Sequence, residues 1–223
     1  MLSRQFFSFA FGKALPVRIA MNRLWALSVV VLVSLLAIAP YSQAIPLPGT
    51  VLTTPSFTAF PGLVPSGTPT GTLLASLVSP YSFVTTAGTT SGTLTTAVYR
   101  NPSGTLDFYY QVANSAASAT AIAREADTSF TGFTTSTGFR VDAVGPFVAG
   151  TAPPVFADRS VSGSVIGFSF NPPESAKISP GMTSAILVIS TDATQFTLGN
   201  AVIIDGGTQT VAAFQPQSLL PAP

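Results

Sequence analysis

The sequence predicts an all-β protein, an antiparallel β-sandwich of the jelly-roll or immunoglobulin type, with one N-terminal signal helix. β-Branched and aromatic residues are plentiful, including 17 Phe, and such residues favour strands. From residue 71 onward, short β-type runs alternate with Gly and Pro turns. No run after the leader has the apolar period of an amphipathic helix, and many short strands of this kind are typical of a sandwich.

The first 44 residues have the features of a secretory signal peptide. An apolar run of about 14 residues, 26–39, follows Arg23 and is shorter than the roughly 20 residues of a membrane span. Ser42 and Ala44 fit the small-residue pattern of a cleavage site after Ala44. A signal of ordinary length would begin at Met21, so we expect translation to start there. The alternative is an uncleaved N-terminal anchor.

Cleavage after Ala44 leaves 179 residues, enough for one domain. This mature part has 5 basic and 8 acidic groups, and a net negative charge argues against nucleic acid or anionic membranes as partners. The sequence contains neither Cys nor His. It therefore lacks disulfides and lacks the commonest general base and metal ligand. We expect no cofactor, no metal site and no transmembrane segment in the mature chain.

The elements are predicted in the following order. Residues 45–70 contain six prolines and are expected to form a proline-rich extended arm with one edge strand around Phe57. The β-sandwich domain is predicted over 71–216, and a flexible tail over 217–223. The predicted strands of the domain are 73–78, 93–100, 105–114, 120–130, 139–144, 165–171, 184–190, 201–204 and 208–214.

Two turns predict hairpins. Asp205-Gly206 is a strong short-hairpin signal. In residues 101–104, Asn-Pro-Ser-Gly, proline presets a type I turn and Gly104 can take the left-handed conformation of a bulge. That register pairs Val98 with Phe108. It assigns Leu94, Val98, Leu106, Phe108, Tyr110 and Val112 to the core face, and Tyr99, Asp107, Tyr109 and Gln111 to the other face.

Residues 91–139, which include SGTLTTAVYRNPSGTLDFYYQVANSA and TSFTGFTTSTGF, resemble a group of uncharacterised bacterial exported proteins that often have the PEP-CTERM sorting tail. The similarity continues through Asp158-Arg159-Ser160, 165–170 and 202–207. The resemblance implies export and association with the cell surface or matrix, and it implies no catalytic residues. Residues 219–223, LLPAP, have no Pro-Glu-Pro, apolar span or basic cluster, so we expect free secretion to be favoured over sorting by that tail.

Three charged residues are the candidates for chemistry. Glu125 and Asp127 lie two apart in a predicted strand and share one face, with Cα atoms about 6.6 Å apart. Such a pair suits glycoside hydrolysis or supplies two oxygen ligands for Ca²⁺. The alternative, which we favour, is an acidic edge strand that discourages aggregation. Lys177 would be the base of a Ser–Lys dyad, but it lies beside Pro and Gly, and we expect a solvated loop residue.

Tyr99 and Tyr109 are the candidates for binding. They lie on a cross-strand diagonal of the predicted hairpin, within reach of each other. If exposed, the two rings could hold a sugar or a protein partner. The alternative is burial under a second sheet or under the proline arm, and we favour burial.

Three functions follow from these observations. The first is an exported, non-enzymatic structural protein of the envelope, surface or extracellular matrix, with exopolysaccharide or other envelope components as partners. We expect it outside the cell or at the cell surface, with the periplasm as the other exported location. The second is a carbohydrate-binding module that uses Tyr99 and Tyr109. The third is an Asp/Glu-dependent hydrolase.

Overall fold

A computed structural model describes residues 71–217 in full and the backbone of two strands before them, Ile45–Leu47 and Ser56–Ala59. The predicted signal peptide, the start at Met21, most of the proline-rich arm and residues 218–223 lie outside the described residues.

The described residues form twelve strands and one turn of 3₁₀ helix, Glu174–Ala176. No helix among them is long and apolar enough to cross a membrane. The strands are β1 (Ile45–Leu47), β2 (Ser56–Ala59), β3 (Thr72–Thr85), β4 (Gly88–Arg100), β5 (Leu106–Asn114), β6 (Arg124–Asp127), β7 (Thr135–Arg140), β8 (Phe156–Arg159), β9 (Ile166–Ser169), β10 (Ile186–Thr191), β11 (Phe196–Ile204) and β12 (Thr208–Pro216).

The strands form two six-stranded sheets. Sheet A has the order β1-β7-β10-β5-β4-β3, and sheet B has the order β12-β11-β6-β9-β8-β2. All the strand pairs are antiparallel. The predicted antiparallel β-sandwich is confirmed. Local hairpins, β3–β4 and β11–β12, build one edge of each sheet, whereas β5, β6 and β7 alternate between the two sheets, so most of the core is assembled from distant segments.

The core lies between the two sheets. Because side chains alternate across a strand, one face of the β4–β5 hairpin is apolar and turns inward. The inward face that the sequence predicts is confirmed, and all six of its residues are fully buried: Leu94, Val98, Leu106, Phe108, Tyr110 and Val112. Sheet B supplies the opposite wall with Ile166, Phe168, Ala201, Ile203, Val211 and Ala213.

The turn between β4 and β5 has the predicted register. Val98 pairs with Phe108, and the amide of Asn101 donates to the carbonyl of Thr105 at 2.9 Å. Gly104 has a φ of 90°, in the left-handed region that glycine tolerates best. The side chain of Asn101 accepts hydrogen bonds from the amides of Ser103 and Thr105. The turn is therefore specified by local chemistry. The second predicted hairpin, at 205–207, is also present, between β11 and β12.

Several predicted strand boundaries are wrong. The strands expected at 73–78, 93–100 and 201–204 are longer than predicted, since β3 ends at Thr85, β4 begins at Gly88 and β11 begins at Phe196. The strand expected at 120–130 contains only β6, because Ile122 forms an isolated bridge to Ile178 and Ser129 takes a φ of 72°. The strand expected at 139–144 begins earlier and ends at Arg140. Residues 135–138 look like a polar turn, yet β10 pairs with them. No predicted strand corresponds to β8, a four-residue strand with two charged residues.

The part of the proline-rich arm that the structure describes is extended. The edge strand expected around Phe57 is confirmed as β2, which pairs with β8 at the end of sheet B. A second short strand, β1, pairs with β7 at the end of sheet A. Edge positions tolerate proline because one side of an edge strand needs no amide donors.

The left-handed conformation at Gly104 gives a direct test of the turn. Gly104→Val should lower the free energy of unfolding by roughly 1–3 kcal/mol, the cost of holding a β-branched residue at positive φ. Nothing lies within 4 Å of the position of an added Cβ, so the cost comes from the backbone alone. Denaturant melts of both proteins measure it, and a change below about 0.5 kcal/mol would contradict the turn assignment.

Candidate functional site

The predicted acidic pair lies inside the sandwich. β6 is an internal strand of sheet B, between β11 and β9. Glu125 is paired with Ile203 on one side and with Phe168 on the other, and Asp127 has equally apolar neighbours. Both carboxyl groups share the inward face with these core residues. The expectation of an acidic edge strand is therefore wrong, because neighbours distant in the sequence enclose β6 on both sides.

Both carboxyl groups are removed from water. Glu125 is 0% exposed and Asp127 is 1% exposed. None of their four oxygens has a partner in hydrogen-bonding geometry among the described residues. Burial raises the pKa of Glu125 to about 7, against a smaller lowering by the Asp127 carboxyl and by Arg124. Burial also raises the pKa of Asp127, and the Glu125 charge adds to that effect. Burial of a charge without a partner is costly, so burial favours the neutral form of the pair.

Tyr110 is the titratable residue of sheet A that interacts with this pair. It is fully buried, and its hydroxyl donates to the carbonyl of Phe214 on β12 at 2.8 Å. Burial raises the pKa of Tyr110, and Asp127 and Glu125 raise it further. We call Glu125, Asp127 and Tyr110 the buried acid cluster. Burial favours the protonated form of each of these three groups, because a charge on any of them would be buried beside the others.

The geometry of the buried acid cluster bears on the two chemistries weighed for Glu125 and Asp127. A glycosidase acid must contact its substrate, whereas these carboxyls lie between sheets packed with Phe168 and Ile203. Calcium takes six to eight oxygen ligands. No group of three or more acidic residues in the described part of the chain is arranged to hold a metal ion. The arrangement serves best as a buried pair that couples folding to proton binding.

This coupling predicts that the contribution of the pair to the free energy of unfolding is greatest at acidic pH. Both carboxyls have pKa values raised above those of the unfolded chain, so the folded state binds more protons. The stability of the neutral pair is fully present below about pH 4, the ordinary range of Asp and Glu. It declines as pH rises through about 7, the pKa of Glu125. In that window each group lowers the free energy of unfolding by about 1.4 kcal/mol per pH unit. Denaturant melts between pH 4 and 9 measure the slope.

A double amide variant is the decisive comparison. Glu125→Gln with Asp127→Asn keeps shape and removes the titration, so its stability should change little across the same pH range. Glu174→Gln is the matched control, since Glu174 has a side chain that is 74% exposed, and this variant should keep the slope of the wild type. Equal slopes for the wild type and the double amide variant would refute the coupling.

The predicted tyrosine pair is brought together but is covered. Tyr99 and Tyr109 lie on the outer face of sheet A with ring centroids 4.7 Å apart. They are only 4% and 7% exposed. Among the described residues, the cover is not a second sheet. It is the loop of residues 141–150, whose Phe147 ring lies 6.1 Å from that of Tyr109. These residues form a second apolar cluster with Ala97 and Ile186.

The side chain of Gln111 holds this loop in place. Its amide nitrogen donates to the carbonyl of Val148 at 2.7 Å, and its oxygen accepts from the amide of Val148 at 3.1 Å. The same nitrogen donates to Ser184. Gly145 passes so close to the Tyr99 hydroxyl that a Cβ there would lie 2.2 Å from it. A glutamine on the predicted outer face was the signal that sequence reasoning missed.

Arg140 closes the polar side of the tyrosine cluster. Its guanidinium makes two hydrogen bonds to Asp142, at 2.6 and 2.7 Å. Burial raises the pKa of Tyr109 to about 12, with a contribution from Asp107 and an opposing one from Arg140. The hydroxyl of Tyr99 has no hydrogen-bond partner among the described residues. The two rings therefore act as packing groups.

Tyr109→Ala should cost about 3–5 kcal/mol of unfolding free energy, as large aromatic truncations in cores do. The reason is that Tyr109 packs against Tyr99 and Phe147. Val148→Ala, on the same loop at a residue that is 57% exposed, is the control and should stay within about 0.5 kcal/mol of the wild type. A Tyr109→Ala variant as stable as the wild type would show that the loop does not seal the rings.

Lys177 is held by carboxylates. Its ammonium lies 2.8 Å from Asp205 and 2.7 Å from Glu174, and hydrogen bonds to these two groups raise the pKa of Lys177. A Ser–Lys dyad needs a neutral amine, which this environment disfavours. Lys177 instead ties the 3₁₀ turn to the β11–β12 hairpin.

Two arginines that the sequence analysis did not single out have structural roles. Arg159 is 3% exposed. It donates to the carbonyls of Phe130, Phe133 and Gly163 and to the Thr135 hydroxyl, at 2.9–3.1 Å. On the outer face of sheet B, Arg124 makes a two-point contact with Asp158. Lone arginines in β-type runs gave no local signal of these contacts.

Comparison of the chain with protein-family models, with curated proteins and with solved structures gives no match. A functional proposal for the chain therefore has to be argued from its sequence and from the geometry described above.

Proposed function

We propose that the chain is an exported, non-enzymatic structural protein of the cell surface or extracellular matrix. The leader at 1–44 and the resemblance to bacterial exported proteins support export. The observation on which the non-enzymatic part rests is the placement of the acid–base candidates. Glu125 and Asp127 are enclosed in the core. The charged ammonium of Lys177 forms ion pairs with two carboxylates.

The outer surface of sheet A supports a role in contacts. On β3, and on β4 as far as Thr95, before the covered tyrosine pair, the side chains opposite the core are hydroxyl, aliphatic and proline groups, and none is charged. Such a surface has neither the basic residues that bind nucleic acid nor a cluster of acids. These outward residues are Ser76, Val78, Pro80, Ser82, Val84, Thr89, Ser91, Thr93 and Thr95.

Cell fractionation tests the proposal. We expect the native protein in the surface, matrix or medium fraction, and we expect N-terminal sequencing of that protein to begin Ile45-Pro46-Leu47. A variant without residues 1–44 is the control and should stay in the cytoplasm. Recovery of the full-length protein in the cytoplasm would contradict the proposal.

The same preparation addresses the sugar-binding alternative. Retention on the host's exopolysaccharide by the wild type and equally by a folded Tyr99→Leu variant, which lacks the aromatic ring, would place sugar contact elsewhere than the tyrosine pair. Loss of retention in the folded variant would favour the carbohydrate-binding module.

A further inference from the structure

The edges of the two sheets differ in length. β1 and β2 have three and four residues. β12 has nine residues and lies beside β3, where the Ser79 hydroxyl donates to the Ala212 carbonyl at 2.7 Å. β3 itself has 14 residues, and it is the last strand on its side of sheet A within the described residues. A long edge presents a row of unpaired backbone groups that pair readily with another strand.

β3 lacks most of the features that protect edge strands. Its sequence, TLLASLVSPYSFVT, contains no charged residue, whereas protected edges commonly have lysine or inward-pointing charges. Val78 and Val84 are 57% and 77% exposed. The protective features are Pro80, near the middle of the strand, and a register shift between Leu73 and Ala75 near its start.

The turn after β3 tells which backbone groups face outward. A two-residue loop joins Thr85 to Gly88, and the residues that flank such a loop form a hydrogen-bonded pair. Odd-numbered residues from 77 to 85 therefore bond to β4, and even-numbered residues from 76 to 84 direct their backbone groups away from the sheet. The Val84 carbonyl lies against Gly207 of the β11–β12 turn, where an added Cβ would be 3.0 Å from it, so the outward groups considered for pairing are those from 76 to 82. Pro80 belongs to the outward set, so the β3–β4 ladder loses no donor and the free edge loses one.

We propose that β3 pairs in antiparallel fashion with β3 of a second copy of this chain, about a two-fold axis near Val78. This interface deepens the proposed structural function and rests on it. A second copy fits because an uncharged strand meets itself without like-charge repulsion, and because antiparallel backbone groups are self-complementary.

The two-fold register also accommodates the proline. With Val78 opposite its own copy, Pro80 lies opposite Ser76, whose amide donates to the proline carbonyl. The contact is isologous and closes at two subunits, so a single edge yields a dimer and not a fibre.

The chain has no native cysteine, which allows a direct test. In the exported protein, Val78→Cys should give a disulfide-linked dimer on mild oxidation, because hydrogen-bonded antiparallel pairs have Cα atoms about 5.5 Å apart, within the disulfide range. Thr89→Cys is the matched control, since Thr89 is exposed on the same sheet face but lies on β4. It should form no disulfide-linked dimer under the same oxidation.

Backbone and charge variants supply a second measurement. Pro80→Thr restores the outward amide in each copy and so adds two hydrogen bonds to the interface. The dissociation constant of the dimer should fall by a factor of about ten or more. Val78→Lys places like charges together at the axis and should abolish the dimer. Sedimentation over a range of concentrations measures both, and circular dichroism checks folding.

A wild type that is monomeric at every concentration would overturn the interface, as would equal cross-linking of the two cysteine variants. A monomer located at the cell surface would contradict the β3 interface and leave the proposed function in place. A dimer found in the cytoplasm would contradict the proposed function and support the interface.

Discussion

The packing of the β4–β5 hairpin against sheet B is the interaction on which the rest of the structure depends. Phe108 and Tyr110 are fully buried, and the Tyr110 hydroxyl links the hairpin to Phe214 on β12. Because the chain has no cysteine, burial of apolar surface, rather than covalent cross-linking, must offset the conformational entropy of the chain. The local Asn-Pro-Ser-Gly turn serves this packing, since it aligns the apolar residues of both strands on one face.

The same packing explains the character of the acid cluster. A core built around Phe168 and Ile203 excludes water, and the pKa values of carboxyl groups enclosed there are raised because their charged forms lose hydration without gaining a partner. Residues that suggest acid–base chemistry in the sequence therefore act on folding instead. Their position couples proton binding to the folding of the whole sandwich.

The exterior of the sandwich is uneven. At one end of sheet A, the loop of residues 141–150 covers the tyrosine pair and is held there by Gln111. At the other end, β3 and β4 present hydroxyl and aliphatic side chains without charge. The covered end contributes stability, and the uncovered end offers backbone groups and flat surface for contact. A structural role at the cell surface is compatible with both, since it needs a robust fold and an accessible edge.

The sequence by itself determined the fold class, the register of the β4–β5 hairpin and its buried face, including Leu94 and Val112. These features depend on residues close together in the chain, where turn geometry and strict alternation set the register. Alternation also showed that Glu125 and Asp127 share a face, but it could not show that the face is internal. Only the tertiary structure decided that, because β11 and β9 enclose β6 from distant parts of the chain. The burial of Tyr99 and Tyr109 was likewise decided by the tertiary structure. The loop that covers them has no periodic pattern in the sequence that would predict where it packs.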